Sequence, residues 1–226
     1  MKYKFSFLVV FLAFTTVKAF SNDIEYNYEI HYKTKYIAKL GTTVDDKSVI
    51  QPYIEAKLNS NFYTSLWLNI PLTKDNPKRS LEIESSIGYK KLYNSWGFDT
   101  SVTYIDLQNP KVFDFSGDVL NSKIKLTKDN HYIEVLHYMA SNAKNGWLLG
   151  IGTKFNIENI LSLSANLRYS DGPFSFEPMY YGQFNLSHEI KELNLVFTVE
   201  LLKIFKKTNP LEQRDDEIAL SANYKF

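Results

Sequence analysis

Leu161-Ser162-Leu163-Ser164-Ala165-Asn166-Leu167-Arg168-Tyr169 alternates without a break. Odd positions are apolar and even positions are polar. Successive side chains of a strand leave opposite faces, so this stretch has one greasy face and one wet face. The same period runs through Ile24-Glu25-Tyr26-Asn27-Tyr28-Glu29-Ile30-His31-Tyr32 and through Ile218-Ala219-Leu220-Ser221-Ala222-Asn223-Tyr224-Lys225-Phe226 at the C-terminus. Leu81, Ile83, Ile87 and Tyr89 alternate with Glu82, Glu84, Ser86 and Gly88.

Working outward, twelve segments read as strands: 28–40, 48–58, 62–71, 80–92, 96–106, 119–127, 131–140, 146–154, 160–169, 179–188, 192–204 and 216–226. Most hold about 9–13 residues, where soluble strands run about 5–6 and a tilted strand crossing a bilayer needs about 9–11. The expected fold is all-β: a transmembrane antiparallel up-and-down β-barrel of about 12 strands, within a range of about 10–14. Two places strain this reading. Glu25 to Leu40 is too long for one crossing, and the sixth and seventh segments have mixed faces.

The connections alternate in length, as they do in outer-membrane barrels. Asn59-Ser60-Asn61, Tyr93-Asn94-Ser95, 127–130, 155–159 and 188–191 are short. Segments 42–47, 72–79, 107–118, 170–178 and 205–215 are longer, and 141–145 is intermediate. Both termini then fall on the short-turn side. Aromatic residues should flank the lipid-facing band. In this register Phe62, Tyr93, Trp96, Tyr224 and Phe226 form the row beside the short turns. Tyr104, Trp147, Tyr169 and Tyr180 form the row beside the long loops. Trp67 falls on the inward face and fits neither row.

The remaining composition narrows the class. The chain has 226 residues, a formal charge of +1, 15% aromatic residues and no cysteine. Near-neutral charge leaves no electrostatic footprint for nucleic acid. The lack of Cys removes disulfides, thiol catalysis and Cys-based zinc sites. Met1-Lys2-Tyr3-Lys4, the apolar run Phe5 to Phe14 and Val17-Lys18-Ala19 predict a signal peptide over 1–19. The barrel would then occupy 20–226. Export and a closed barrel together point to the outer membrane of a Gram-negative bacterium, because in lipid every backbone polar group must be paired. The expected partners are outer-membrane lipid, lipopolysaccharide, the barrel assembly machinery and small polar solutes. Tyr224 and terminal Phe226, closing an alternating strand, resemble the assembly signal of outer-membrane proteins.

The order of features resembles the TorF family of porins, small proteobacterial outer-membrane barrels. The segments that carry the resemblance are Lys35 to Lys47, Gln51-Pro52-Tyr53-Ile54-Glu55-Ala56 and Asn61 to Trp67. Leu81 to Glu84 with Ile87-Gly88-Tyr89, Tyr104 with Asn109-Pro110, and Arg214 to Ser221 continue it. The family's Arg-Gly pair in the first strand is missing; Ala38-Lys39 stands nearby. The resemblance implies a porin-like role and no catalytic residues.

Chemistry should reside on the wet face. The expected pore-lining residues are Glu55, Lys57, Glu82, Glu84, Lys90, Asp99, Asn166 and Arg168. Asn69, Ser101, Ser162, Gln183, Asn185, Asn194 and Asn223 share that face. Mixed charge in a hydrated lumen suits passive diffusion of small hydrophilic solutes; the same residues, mutually paired, would instead plug it. Glu82 and Glu84, about 7 Å apart along one face, could bind a cation or work as an acid/base pair, or be ordinary lumen charges. His31, His131, His137 and His188 show no metal-ligand spacing, and no cofactor or metal is expected. His137 and Ser141 are the one pair that could serve a lipase or deacylase, yet four residues along a strand separate them by about 13 Å. Gly150-Ile151-Gly152 reads as inward glycines where a barrel bends, with no nucleotide loop. Lys203, Lys206 and Lys207 could meet lipopolysaccharide phosphates or form a solvated loop base. The chain therefore reads as a porin and not an enzyme. A lipid-modifying enzyme and a closed structural or adhesive barrel displaying its loops are the alternatives.

Overall fold

The computed structural model describes residues 24–40, 43–58, 61–73, 81–108, 119–140, 144–157, 161–171, 178–207 and 216–226. Twelve strands close into one antiparallel barrel. They are β1 (Ile24–Lys33), β4 (Val49–Leu58), β5 (Phe62–Pro71), β6 (Leu81–Tyr93), β7 (Trp96–Gln108) and β8 (Val119–Lys128). The barrel continues with β9 (His131–Ala140), β10 (Gly146–Ile157), β11 (Leu161–Ser170), β12 (Met179–Ile190), β13 (Leu195–Lys207) and β14 (Glu217–Lys225). Between β1 and β4, a minor hairpin pairs β2 (Tyr36–Ile37) with β3 (Thr43–Asp45).

Each barrel strand pairs with the barrel strand next in sequence, and β14 closes on β1 through Ile30 opposite Tyr224 and Tyr32 opposite Ala222. Closure leaves no edge strand, so every wall strand has partners on both sides. No helix among the described residues is long and apolar enough to cross a membrane. The crossing is made by strands.

Cross-strand register decides which side chains share a face. Tyr28, Ile54, Leu66 and Ser85 are successive partners on the outside, as are Leu149, Tyr169 and Tyr180. The outer wall is accordingly an apolar belt. Ile87, Ile124, Ile133, Ile151, Leu167, Leu186, Leu201 and Leu220 are all exposed. Such a surface is stable only in lipid. Outward Lys91, Asp106, Lys128 and Lys203 stand towards strand ends. The expected rows frame the belt: Phe62, Tyr93, Trp96, Tyr224 and Phe226 at one end, Tyr104, Trp147 and Tyr180 at the other. Tyr169 is half-buried because its ring packs 4.8 Å from that of Tyr180.

Three details differ from the periodic reading. The first barrel strand is Ile24–Lys33 and not 28–40; the chain bends at Thr34 and Lys35, and Tyr36 onward turns away from the wall. The turn expected at 188–191 lies at a short 3-10 turn, Lys191–Leu193, closed by left-handed Asn194 at φ 50°. Asn194 therefore belongs to a turn and does not face the lumen. Asn94 and Asp129 take the same left-handed conformation in two other short turns. Asn and Asp tolerate it better than other non-Gly residues.

Glycine at 152 has a packing reason. A Cβ there would fall 2.4 Å from the Tyr132 ring, which lies flat over the inward face of β10. The expected signal peptide, 1–19, lies outside the described residues.

Candidate functional site

The site is the space inside the barrel, and the minor hairpin shapes it. That hairpin springs from the long-loop end and turns inward instead of outward. Ile37 and Leu40 are buried, and they cluster with Ile105, Val119, Leu136, Tyr138, Leu148, Met179, Tyr181, Leu202 and Ala219. These partners come from seven strands, β7 to β10 and β12 to β14. On the opposite side, Tyr36 packs on Trp67 of β5 with ring centroids 5.5 Å apart. Asn69 of β5 donates to the Asp45 carboxylate at 2.7 Å and accepts from Gln51 at 2.9 Å. The Tyr181 hydroxyl donates to the Lys39 carbonyl, and Lys35 pairs with Glu217. The hairpin thus crosses the lumen from wall to wall near its long-loop mouth.

This explains two oddities of the sequence. Trp67 is inward because it is the hairpin's docking platform. β8 and β9 have mixed faces because Val119, Leu136 and Tyr138 line the mouth, where the hairpin makes the inside apolar.

Beside and below the hairpin lies a cavity of about 870 Å³. Its charged lining comprises six carboxylates (Glu29, Glu55, Glu82, Glu84, Asp99, Glu200) and five cations (Lys33, Lys39, Lys90, Lys123, Arg168). Two pairs among them, Lys123 with Asp99 and Lys33 with Glu200, neutralise each other, and Arg168 is held by Glu134. Arg168 donates through Nη2 and Nε to Glu134 at 2.9 and 3.1 Å and through Nη1 to Gln183 at 2.6 Å. Gln183 donates onward to Glu200, whose carboxylate stands 3.8 Å from Lys33. Lys123 binds Asp99 at 2.8 Å, and the Tyr63 hydroxyl donates to the same carboxylate at 3.1 Å. Tyr53 donates to Glu55 at 2.8 Å. Glu29 accepts from Asn223 and meets His31, each at 2.9 Å.

The Arg168–Glu134 pair joins β11 to β9 across the intervening β10. Gly150 makes this reach feasible. It is the register partner of both residues, and a Cβ there would lie 3.0 Å from the Glu134 Cγ and 3.4 Å from the Arg168 Cγ. Both partners are almost fully removed from water, which strengthens their Coulomb attraction and makes loss of either one costly.

Of the residues expected to line a pore, Glu55, Glu82, Glu84, Lys90, Asp99 and Arg168 border this cavity. Lys57 lies towards the short-turn end, paired at 2.8 Å with exposed Glu25. Asn166 is buried in the wall beside Tyr132. Glu82 and Glu84 share the lumen face as the alternation implies. His137 is outward, its ring stacked 4.1 Å from that of Trp147. Its suggested partner Ser141 lies outside the described residues. Lys203 is paired with Asp216 at the base of the last long loop. Among the described residues no group of three or more His, Cys, Asp or Glu could hold a metal ion.

Sequence reasoning missed Lys39, Lys123, Glu29, Glu134 and Glu200. Lys123 and Lys125 share one face of β8 with Asn121, a polar run readable once the face is known. Lys39 had no such signal, because its place depends on the hairpin's path.

No family model matches the chain, and no curated protein matches it in sequence. Solved structures do match. The KdgM porin aligns with a TM-score of 0.60 at 11% identity, over 88% of this chain and 99% of that one. A KdgM porin in complex with disordered oligogalacturonate aligns equally well. An outer membrane channel from Pseudomonas putida F1 aligns with a TM-score of 0.54 at 8% identity, over 88% of this chain and 94% of that one. At such identities the likeness is one of fold, and that fold is the outer-membrane β-barrel.

Proposed function

We propose that this protein is an outer-membrane channel that passes small hydrophilic solutes by passive diffusion. The observation that carries the reading is a closed, apolar-skinned barrel enclosing a cavity of about 870 Å³ lined by charged side chains. Eight strands enclose only enough room for their own side chains, whereas about sixteen leave an open aqueous channel. Twelve strands lie between, with space for a hairpin and a hydrated path beside it. The porin and channel among the fold neighbours, and the resemblance to the TorF family of porins, accord with this reading.

The solutes are small and polar. The KdgM porin was solved with oligogalacturonate, a polyanion. Here six carboxylates and five cations nearly cancel, which gives a polyanion no net attraction. Glu55, Lys57, Glu82, Glu84, Lys90, Asp99, Asn166 and Arg168 are the proposed lumen-facing polar set. Export through a signal at 1–19 and assembly through Tyr224 and Phe226 by the barrel assembly machinery complete the reading. Outer-membrane lipid and lipopolysaccharide would surround the belt. No catalytic role is proposed: the one candidate base, His137, faces lipid against Trp147.

The hairpin favours one competing reading, a barrel sealed at its mouth that serves only to display loops. Conductance of refolded protein in a planar bilayer separates the two. Discrete, reproducible openings are expected. Silence from protein shown to be folded and inserted would refute the channel and support the sealed barrel.

A further inference from the structure

The hairpin brings one positive charge to the cavity. Lys39 sits next to Leu40, at the hairpin's turn, with its carbonyl held by the Tyr181 hydroxyl of β12. Its side chain is exposed and borders the cavity. Three further charged groups, Glu84, Lys123 and Arg168, border the same cavity, with Glu134 bonded to Arg168. Two of the cations and one of the carboxylates are already neutralised, since Arg168 is bonded to Glu134 and Lys123 to Asp99.

Lys39 and Glu84 are among the cavity charges without an ion pair. Neither ammonium nor carboxylate makes a hydrogen bond or ion pair with the described residues, and both border the same cavity. Lys90 also has no ion pair among the described residues, but it lies six residues along β6 from Glu84, about 20 Å of strand. The cavity is therefore bordered by an unpaired positive charge on the hairpin and, on the wall, by Glu84, which is unpaired, and by Glu55, which holds only the Tyr53 hydroxyl.

Opposed charges in a narrow aqueous gap with low-dielectric walls create a field directed across the path. A single-signed ion is attracted by one charge and repelled by the other. A solute that carries both signs a few ångströms apart can satisfy both at once. We infer that Lys39 and Glu84 form the selecting pair of the channel and that they favour small zwitterions, the chemistry of free amino acids and very short peptides. This inference rests on the channel reading above.

The test uses the full refolded chain in liposomes and planar bilayers. Swelling rates with L-serine are compared with those for erythritol, a neutral polyol of similar size, and reversal potentials are read in a KCl gradient. The wild type is expected to pass serine several-fold faster than erythritol. Lys39→Glu is expected to lose that preference and to shift the reversal potential towards cation selectivity. Glu84→Gln, a milder change on the wall, is expected to lose the preference and shift the potential towards anions. A conducting wild type without the preference, or variants that conduct and retain it, would overturn the selecting pair and leave the channel standing. A folded, inserted wild type that neither conducts nor swells would overturn the channel and the inference with it.

Discussion

The inserted hairpin should control the width of the lumen, and its hold can be weakened without touching the wall. Ile37 and Leu40 are 4% and 7% exposed and anchor it in the apolar layer at the mouth. Truncating a buried Ile or Leu to Ala commonly removes at least about 2 kcal/mol, so Ile37→Ala with Leu40→Ala should weaken docking by about 4 kcal/mol. That is roughly three decades in the ratio of inserted to withdrawn hairpin. The barrel itself keeps all its strand pairings, because neither residue belongs to the wall. Single-channel recording is the assay. Wild-type protein should reside at a low conductance level with rare excursions to a higher one. The double variant should reside mainly at the higher level, and larger polyols should enter it in swelling assays. A correctly folded double variant with the wild-type distribution of conductance levels would refute the idea that this packing sets the bore.

Other consequences follow from the wall. Arg168→Met leaves the Glu134 carboxylate buried and unpaired, so stability should fall by about 3–5 kcal/mol. Urea unfolding from vesicles, followed by Trp fluorescence, reads this; adding Glu134→Leu should recover most of the loss, and a single-variant loss under about 1 kcal/mol would contradict the burial argument. Gly150→Val places a branched side chain between Glu134 and Arg168 and should destabilise the barrel to a similar degree, with little further loss when combined with Arg168→Met. Lys57→Ala removes only an exposed pair with Glu25 and should change stability by less than about 1 kcal/mol. Phe226→Ala should lower the amount of barrel recovered from outer membranes while leaving the conductance of assembled molecules unchanged; equal recovery would remove Phe226 from any assembly role.

Most of the wall was legible from residue order. Leu161 to Tyr169 and Ile218 to Phe226 lie in the structure with the faces that their alternation implies, because a strand side chain points in or out by parity alone. The inward placement of Glu55, Glu82, Glu84, Asp99 and Arg168 follows from the same parity. Where parity misled, the cause was something inserted. Val119, Leu136 and Tyr138 are apolar and inward, and only the presence of Ile37 and Leu40 against them makes that sensible. Trp67 is inward for the same reason, through Tyr36.

Local sequence thus determined the strands, their two faces, the alternation of short and long connections and the closed membrane-spanning class. Each of these depends on neighbours a few residues apart and on the demand that lipid places on backbone hydrogen bonds. Only the tertiary structure decided that the β2–β3 hairpin turns into the barrel, that Arg168 finds Glu134 over Gly150, and that Lys39 and Glu84 border one cavity. Those relations join residues tens to more than a hundred positions apart. They arise from barrel closure and register, which bring distant inward side chains into one enclosed space that no single strand's pattern describes.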